Sequence, residues 1–324
     1  MSTTLFFLVP LGMLGVAWAF CFIGCVFQTS GLAEPYSNEI LQEPTLVAYW
    51  PLSDFPGVAP PTPPTPPGST GVGTAADLSG NGHTGSYLIP PAYPMAQGSK
   101  QFTNPALTLR QGSIVPGDAV ASGSKNLPAS ADFQGGYVSI PWSTQNSPQL
   151  SQFTLEAWIK PGWTGTGINW VVFSALLGST GFSLFINDMN QWQINVGTGM
   201  AIVPDPSVTV DLTSPSYVAV TFDGQTLALW VNPSSEEDDQ SNPPPPMATQ
   251  TFPNTNYAPV DPTQPVTFFI GAGANDQPLR TPTANPMGAP LYPFQGLIQS
   301  VALYSSMLSP TDLGSHFENG SSGS

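Results

Sequence analysis

Charge is what this sequence has least of. Only 8% of its 324 residues are Asp, Glu, Lys or Arg, against about 25% in an average globular chain. Positive charge is scarcer still, with 5 Lys and Arg against 20 Asp and Glu and a formal net charge of −15. A surface with that balance repels phosphate backbones, so nucleic-acid binding is excluded. Cysteine is almost absent: Cys21 and Cys25 are the only two. Both sit in one apolar run, so the rest of the chain carries no disulfide. Two thiols alone cannot close a four-ligand metal site. The two histidines, His83 and His316, lie far apart and lack metal-ligand spacing. Long helical periodicity is missing too, and 38 prolines, more than twice average usage, would interrupt it. A 40% apolar share still supplies a core, so wholesale disorder is excluded.

The longest uncharged stretch runs from Leu5 to Phe27. As a helix rising about 1.5 Å per residue it would reach roughly 34 Å, enough for a hydrocarbon layer of about 30 Å. Three readings of it compete. Ala17-Trp18-Ala19 follows the A-x-A pattern of a cleaved secretory signal, and Gly24-Cys25 suggests a lipoprotein signal. Both lack a basic n-region. The reading carried forward is a retained transmembrane anchor over residues 1–27, its N-terminus cytoplasmic and the C-terminal domain periplasmic or extracellular. Gly12, Gly15 and Ala19 would then form a small-residue face for helix packing. Residues 28–44 are expected to be a linker, and 320–324 a flexible tail.

From residue 45 onward the chain alternates short β-patterned runs with Gly, Pro, Asn and Ser. Strands are predicted at 46–51, 136–140, 153–159, 170–175, 183–186, 191–196, 217–222, 226–231, 266–270 and 296–304. Strands in series without intervening helices predict an all-β, two-sheet antiparallel sandwich or jelly roll. In 153–159, Phe153, Leu155, Ala157 and Ile159 share one face by period two, with Thr154, Glu156 and Trp158 on the other. Ser309-Pro310-Thr311-Asp312 reads as a helix N-cap with proline at the first helical position. Three insertions break the rhythm: 57–74 with PPTPPTPP, 88–128, and 233–265 with Glu236-Glu237-Asp238-Asp239.

The runs resemble, in order, the LamG-like (concanavalin A-like) jelly rolls. The resemblance begins at Leu46-Val47-Ala48-Tyr49-Trp50 and Asp77-Leu78-Ser79-Gly80-Asn81-Gly82-His83. It continues through Phe153-Thr154-Leu155-Glu156-Ala157-Trp158-Ile159 and Tyr217-Val218-Ala219-Val220-Thr221-Phe222. It closes at Phe294-Gln295-Gly296-Leu297-Ile298-Gln299 and Leu308-Ser309-Pro310. It covers residues 45–319 outside the insertions and implies a LamG-like sandwich whose ends lie close together. The family's Asp-x-Ser-Gly-Asn-Gly turn often adjoins calcium, which implies Asp77, Gly80 and Asn81 as metal ligands. Calcium takes six to eight oxygens, and where the family commonly adds an acidic residue this chain has Gln299.

Other candidate sites come from residue type. Trp142 and Trp163 could form a stacking platform for glycan, with Trp170 and Trp192 as further aromatic candidates. Glu236, Glu237, Asp238 and Asp239 could dock a basic soluble protein. Glycan hydrolysis needs a pair of carboxylates, which relatives of this family that cleave glucans place alternately along one strand; no strand here does so, and the chain is read as not an enzyme, with an unrecognised hydrolase as the remote third reading. The leading expectation is a membrane-anchored accessory subunit of a larger complex, its sandwich capping other membrane subunits on the exported side. That layout is similar to single-span accessory subunits of bacterial photosynthetic reaction-centre–antenna complexes. The alternative is an envelope-anchored lectin-like module that binds glycan or protein.

Overall fold

The computed structural model describes residues 35–57, 69–91, 102–118, 128–142, 150–163, 168–175, 181–196, 200–202, 209–234, 243–251, 266–273 and 292–322. Two eight-stranded antiparallel sheets face each other. In sheet A the order is β14 (Ala248–Thr251), β13 (Thr226–Val231), β12 (Ser216–Phe222), β7 (Phe153–Pro161), β16 (Gln295–Tyr304), β5 (Ala129–Gln134) and β4 (Ala106–Gly112), and β1 (Leu46–Trp50) also pairs with β16. Sheet B runs β11 (Met200–Ile202), β10 (Trp192–Val196), β9 (Phe182–Ile186), β8 (Trp170–Ser174), β15 (Val266–Ile270), β6 (Tyr137–Trp142), β3 (Gly85–Ile89) and β2 (Thr70–Ala75). The all-β two-sheet reading holds.

Period-two alternation builds the core. On β7 the predicted inward set, Phe153, Leu155, Ala157 and Ile159, lies in the main apolar cluster, while Trp158 belongs to a second one. Phe153 of sheet A stacks on Phe182 of sheet B at 4.2 Å, and Phe182 stacks on Phe173 at 5.6 Å. Each such ring contributes about 1.5–3 kcal/mol by leaving water. β16 pairs with β5 through its first half and with β1 through its second, and its register against β7 shifts between Gln299 and Ala302. Ser300 there has φ +55°, so an outward kink re-aims the strand. Leu46 pairs with Tyr304, which sets the two ends of the sandwich side by side.

Several predicted boundaries need correction. The linker, 28–44, contains a helix, α1 (Pro35–Gln42), held because Tyr36 and Ile40 are wholly buried. The predicted insertions contain strands: β2 lies in 57–74, β4 in 88–128 and β14 in 233–265. These strands are short or rich in Gly and Thr, so period two is faint in them. The predicted turn at 309–312 opens a 12-residue helix, α2 (Pro310–Ser321), which takes up the start of the supposed tail. Its capping box is complete, with Asp312 N donating to Ser309 Oγ and Ser309 N to Asp312 Oδ2. α2 packs tightly at glycines: a Cβ on Gly320 would lie 2.5 Å from the Trp158 ring, and one on Gly117 2.3 Å from Asn319 O. Among the described residues no helix is long and apolar enough to cross a membrane. The predicted anchor over 1–27, with Gly12, Gly15 and Ala19, lies outside the described residues.

Candidate functional site

The Asp77 turn is built on main-chain hydrogen bonds. Asp77 Oδ1 accepts from Tyr49 N at 3.0 Å and Ser79 N at 2.9 Å, and Oδ2 accepts from His83 N at 2.8 Å. Asn81 donates its amide to the carbonyls of Leu46 and Val47, and Trp50 Nε1 donates to His83 O at 2.7 Å. Asp77 therefore ties β1 of sheet A to the approach to β3 of sheet B. Calcium needs six or more oxygens. Here one carboxylate stands with both oxygens engaged, and the described residues hold no group of three His, Cys, Asp or Glu placed for a metal. The donor set does not fit a calcium ion as it stands. Gln299, where an acidic partner was sought, serves as a staple instead: its Oε1 accepts from Ile114 N at 2.8 Å and its Nε2 donates to Asp118 Oδ2 at 3.0 Å.

The tryptophans separate. Trp192 and Trp170 are core residues, at 2% and 1% exposure. Trp163, just past β7, is 43% exposed and meets Trp170 edge-on at 5.5 Å. Trp142 ends β6 opposite Val266. The acidic run Glu236, Glu237, Asp238 and Asp239 lies outside the described residues.

The outer face of sheet A is closed. α1 and α2 cover it, and beneath them the Glu156 carboxylate collects four partners. Tyr304 donates to Oε1 at 2.9 Å and Tyr36 to the same atom at 3.5 Å. Tyr217 donates to Oε2, and His316 Nδ1 lies 3.0 Å from Oε2. Glu156 and His316 are both fully buried. Burial works against charge on His316, but the charge and hydrogen bond of Glu156, with Glu39 and Glu43 behind it, outweigh this and push its pKa up to about 9. Burial and then the Glu156 charge hold the hydroxyls of Tyr36, Tyr217 and Tyr304 well above the usual tyrosine range. Around the knot Tyr36 meets Trp158 edge-on at 6.2 Å, and Trp158 stacks on Phe317 at 6.0 Å. Nothing could enter this cluster without lifting a helix.

The outer face of sheet B is different in kind. None of its eight strands contains Asp, Glu, Lys, Arg or His. Inward positions are apolar, among them Val138, Ile140, Phe182, Leu184, Trp192 and Ile194. On the opposite face the register aligns Asn195, Ser183, Ser174, Phe269, Ser139 and Ser86 as one row across β10, β9, β8, β15, β6 and β3. An amide ladder climbs one side of it: Asn187 Nδ2 donates to Gln193 Oε1 at 3.2 Å, and Gln193 Nε2 to Asn195 Oδ1 at 3.2 Å. Asn195 has 0% exposure, and its Nδ2 finds no hydrogen-bond partner among the described residues. The chain after β15 crosses Ser174 so closely that a Cβ on Gly273 would lie 2.2 Å from Ser174 Cβ. On either side of that crossing Gln193, Thr267 and Phe269 are half-exposed. From β10 to β15 is three interstrand steps, roughly 14 Å, and within it Asn195, Ser183 and Ser174 are buried.

The amides and hydroxyls of this row were not among the predicted site residues. Their signal was nonetheless present: uncharged polar residues alternate with apolar neighbours in FSLFI, WQINV and YVSIPW.

A laminin-G-type sequence profile described as the concanavalin A-like lectin/glucanases superfamily matches residues 132–314. No curated protein sequence matches the chain. Solved structures with a similar fold include the sialidase of Trypanosoma rangeli in complex with 2,3-difluorosialic acid, at 14% identity and TM-score 0.46, covering 87% of this chain and 37% of that one. A mutant of the same sialidase displaying trans-sialidase activity gives 13% identity and TM-score 0.46, covering 86% and 34%. The binding domain of botulinum neurotoxin serotype D/C gives 11% identity and TM-score 0.46, covering 87% and 53%. The chain thus spans about half or less of the structures it matches, and the likeness is one of fold. The profile corrects one expectation. Catalysis was set aside, yet the matched superfamily is described as one of lectins and glucanases alike, so non-enzymatic function does not follow from membership. With more than half of its length matched by the profile, the chain belongs to the concanavalin A-like lectin/glucanases superfamily.

Proposed function

We propose that the chain acts as a lectin-like module that takes a glycan on the outer face of sheet B. The observation that carries this reading is Asn195: a side-chain donor fully withdrawn from water, unmatched among the described residues, at the β10 end of an uncharged row. Leaving such a donor unpaired costs about 1–3 kcal/mol, a cost that a ligand oxygen would remove. Sugar recognition needs convergent amides and hydroxyls next to an aromatic or apolar surface. Asn187, Gln193 and Asn195 supply the first, and half-exposed Phe269 the second. The membrane-subunit reading rests on residues outside those described, and no described feature favours it. A module of this kind is read as displayed outside the cytoplasm, where glycans are presented. The test is a glycan array probed with the whole chain, followed by calorimetry on the strongest ligand with Asn195→Val and Gln193→Ala. Binding lost in both variants, with unfolding unchanged, supports the reading. Binding untouched by either variant, or none at all, overturns it.

A further inference from the structure

We propose that the Asn81-Gly82 step modifies itself: Asn81 loses its side-chain nitrogen to become aspartate or isoaspartate, and the seam between the two sheets loosens when it does. The chain has two Asn-Gly steps, Asn81-Gly82 and Asn319-Gly320. Glycine after asparagine has no side chain to keep its amide nitrogen away from the neighbouring carboxamide. In the reaction a bond forms between Gly82 N and Asn81 Cγ, and the bond from Cγ to Nδ2 breaks. The amide proton leaves with Nδ2 as ammonia. Water then opens the cyclic imide at either of its carbonyls. One opening gives aspartate; the other gives isoaspartate, whose main chain runs through the former side chain. No electrons are exchanged, and water is the sole co-reactant.

The fold treats the two steps differently. Asn319 and Gly320 lie inside α2, where helical hydrogen bonds hold the backbone. Gly320 is buried, with a Cβ there only 2.5 Å from the Trp158 ring, and Asn319 Nδ2 donates to Glu39 Oε2 at 2.6 Å. Ring closure at Asn319 would require the end of α2 to lift away. Asn81 and Gly82 are instead both exposed, in a turn outside any helix or strand. Gly80 and Gly82 have φ +83° and +84°. Among the described residues nothing lies within 4 Å of a Cβ placed on either, and Gly82 N donates to no acceptor. The backbone on both sides of Asn81 therefore has room to rotate. One restraint remains: Asn81 Nδ2 donates to Leu46 O at 3.1 Å and to Val47 O at 2.9 Å. Those bonds hold the departing nitrogen and slow the step relative to an unfolded chain.

The same two bonds give the modification its consequence. The product has a carboxylate where a donor stood, so Leu46 O and Val47 O, at the start of β1, lose their partner and meet a negative charge. That charge enters the turn of Asp77, whose oxygens accept from Tyr49 N, Ser79 N and His83 N, and like charges in one turn oppose each other. In the isoaspartate form the lengthened main chain also displaces His83 N from Asp77. The tie from β1 of sheet A to the approach to β3 of sheet B is weakened at both of its anchors.

The experiment is peptide mapping of the whole folded chain during storage in warm neutral buffer, beside a sample held in denaturant. Conversion at folded Asn81 is expected to be at least about tenfold faster than at folded Asn319, which must wait for local opening of α2, and slower than at either site in denaturant. The Asn81 peptide should split into aspartate and isoaspartate forms, and the fall in Tm during storage should track the converted fraction. Asn81→Asp, which installs one product directly, should lower Tm in fresh protein. Conversion at Asn319 as fast as at Asn81, or an unchanged Asn81 peptide while the denatured sample converts, would overturn the site. Complete conversion at Asn81 with an unaltered Tm, and Asn81→Asp as stable as wild type, would overturn the loosening of the seam.

Discussion

The sandwich has two outer faces, and each ends in a different kind of chemistry. On sheet A the outward positions of the central strand are Thr154, Glu156 and Trp158, and α1, α2 and the segment leading into α2 cover them. The result is a closed second core with one carboxylate at its centre, satisfied by three tyrosines and a histidine. On sheet B the outward positions of β10, β9, β8, β15, β6 and β3 carry no charge, and among the described residues the Asn195 amide donor is one of the buried groups without a partner. A buried ion pair costs least when its remaining valences are filled; on sheet A both Glu156 oxygens are filled, while His316 Nε2 faces only Glu43 Oε1 at 3.6 Å. A buried uncharged amide can be left short at modest cost, and sheet B leaves one short. The first pattern belongs to a structural joint. The second is the one the proposed binding function would use.

The largest effect should come from opening the joint. Glu156→Ala removes the shared acceptor and leaves His316 and three phenolic hydroxyls buried without it. Truncating one member of a buried charge pair costs about 3–5 kcal/mol, and α1 and α2 should lose hydrogen-exchange protection before the sheets do. Glu156→Gln keeps an oxygen acceptor but not the charge, so its loss should be smaller. Denaturant unfolding gives the first number and amide exchange the second. Glycan binding by residual folded protein should be unaffected, because sheet B is untouched.

pH should act on the same face next. The folded pKa of His316, about 9, lies above its unfolded value of about 6.5. A raised pKa means the folded state holds the proton more tightly. The stabilisation is therefore full below about pH 6.5 and is lost as pH rises through about 9, with a span on the order of 3 kcal/mol. Tyr36, Tyr217 and Tyr304 stay protonated across that window, since their own values are raised. His316→Gln should flatten the profile between those limits, as read by unfolding at a series of pH values. A wild-type midpoint that does not change between pH 6.5 and 9 would remove His316 from the joint.

How much of this was legible in advance follows from the same contrast. The alternation along 153–159 is strong enough that both faces of β7, with Glu156 outward, could be read from the residues. So could the Ser309 cap, because its side-chain chemistry is local. What Glu156 meets could not be read, since Tyr36, Tyr217, Tyr304 and His316 come from four other elements scattered along the chain. α1 was hidden by its length: eight residues contain too little periodicity to stand out from a linker. The polar row of sheet B was visible strand by strand as a Ser or Asn among apolar neighbours, and only the register shows that five strands set theirs in one line with Phe269. The tryptophan candidates divide: Trp170 and Trp192 have too much apolar area to leave outside the core, while Trp163 is exposed.

A smaller effect should mark the seam between the faces. Asp77→Ala withdraws the acceptor from the backbone amides of Tyr49, Ser79 and His83, joining β1 to the β3 approach. Part of that loss is recovered by water, because the turn is only partly buried, which suggests a cost of about 1–3 kcal/mol. Calcium or a chelator should leave the wild-type Tm where it is, since the Asp77 oxygens already serve the main chain. A clear rise in Tm with calcium would show that the turn gathers oxygens beyond those described.

The smallest effect on stability is expected at Asn195, and it is the most telling. Replacing a satisfied buried amide by an apolar side chain costs its hydrogen bonds. Asn195 is satisfied on one side only: Oδ1 accepts from Gln193 Nε2, while Nδ2 has no partner among the described residues. Asn195→Val gives up that one bond, and half-exposed Gln193 can turn to water for a replacement. In exchange the variant no longer buries an unmatched donor and places a β-branched apolar residue in a strand. The two changes should nearly cancel, leaving unfolding within about 0.5 kcal/mol of wild type, while glycan affinity falls at least tenfold. A site kept for folding would show the reverse, a clear loss of stability with binding retained. Asn195→Val therefore tests directly whether the uncharged face exists to be occupied, as the closed one exists to hold.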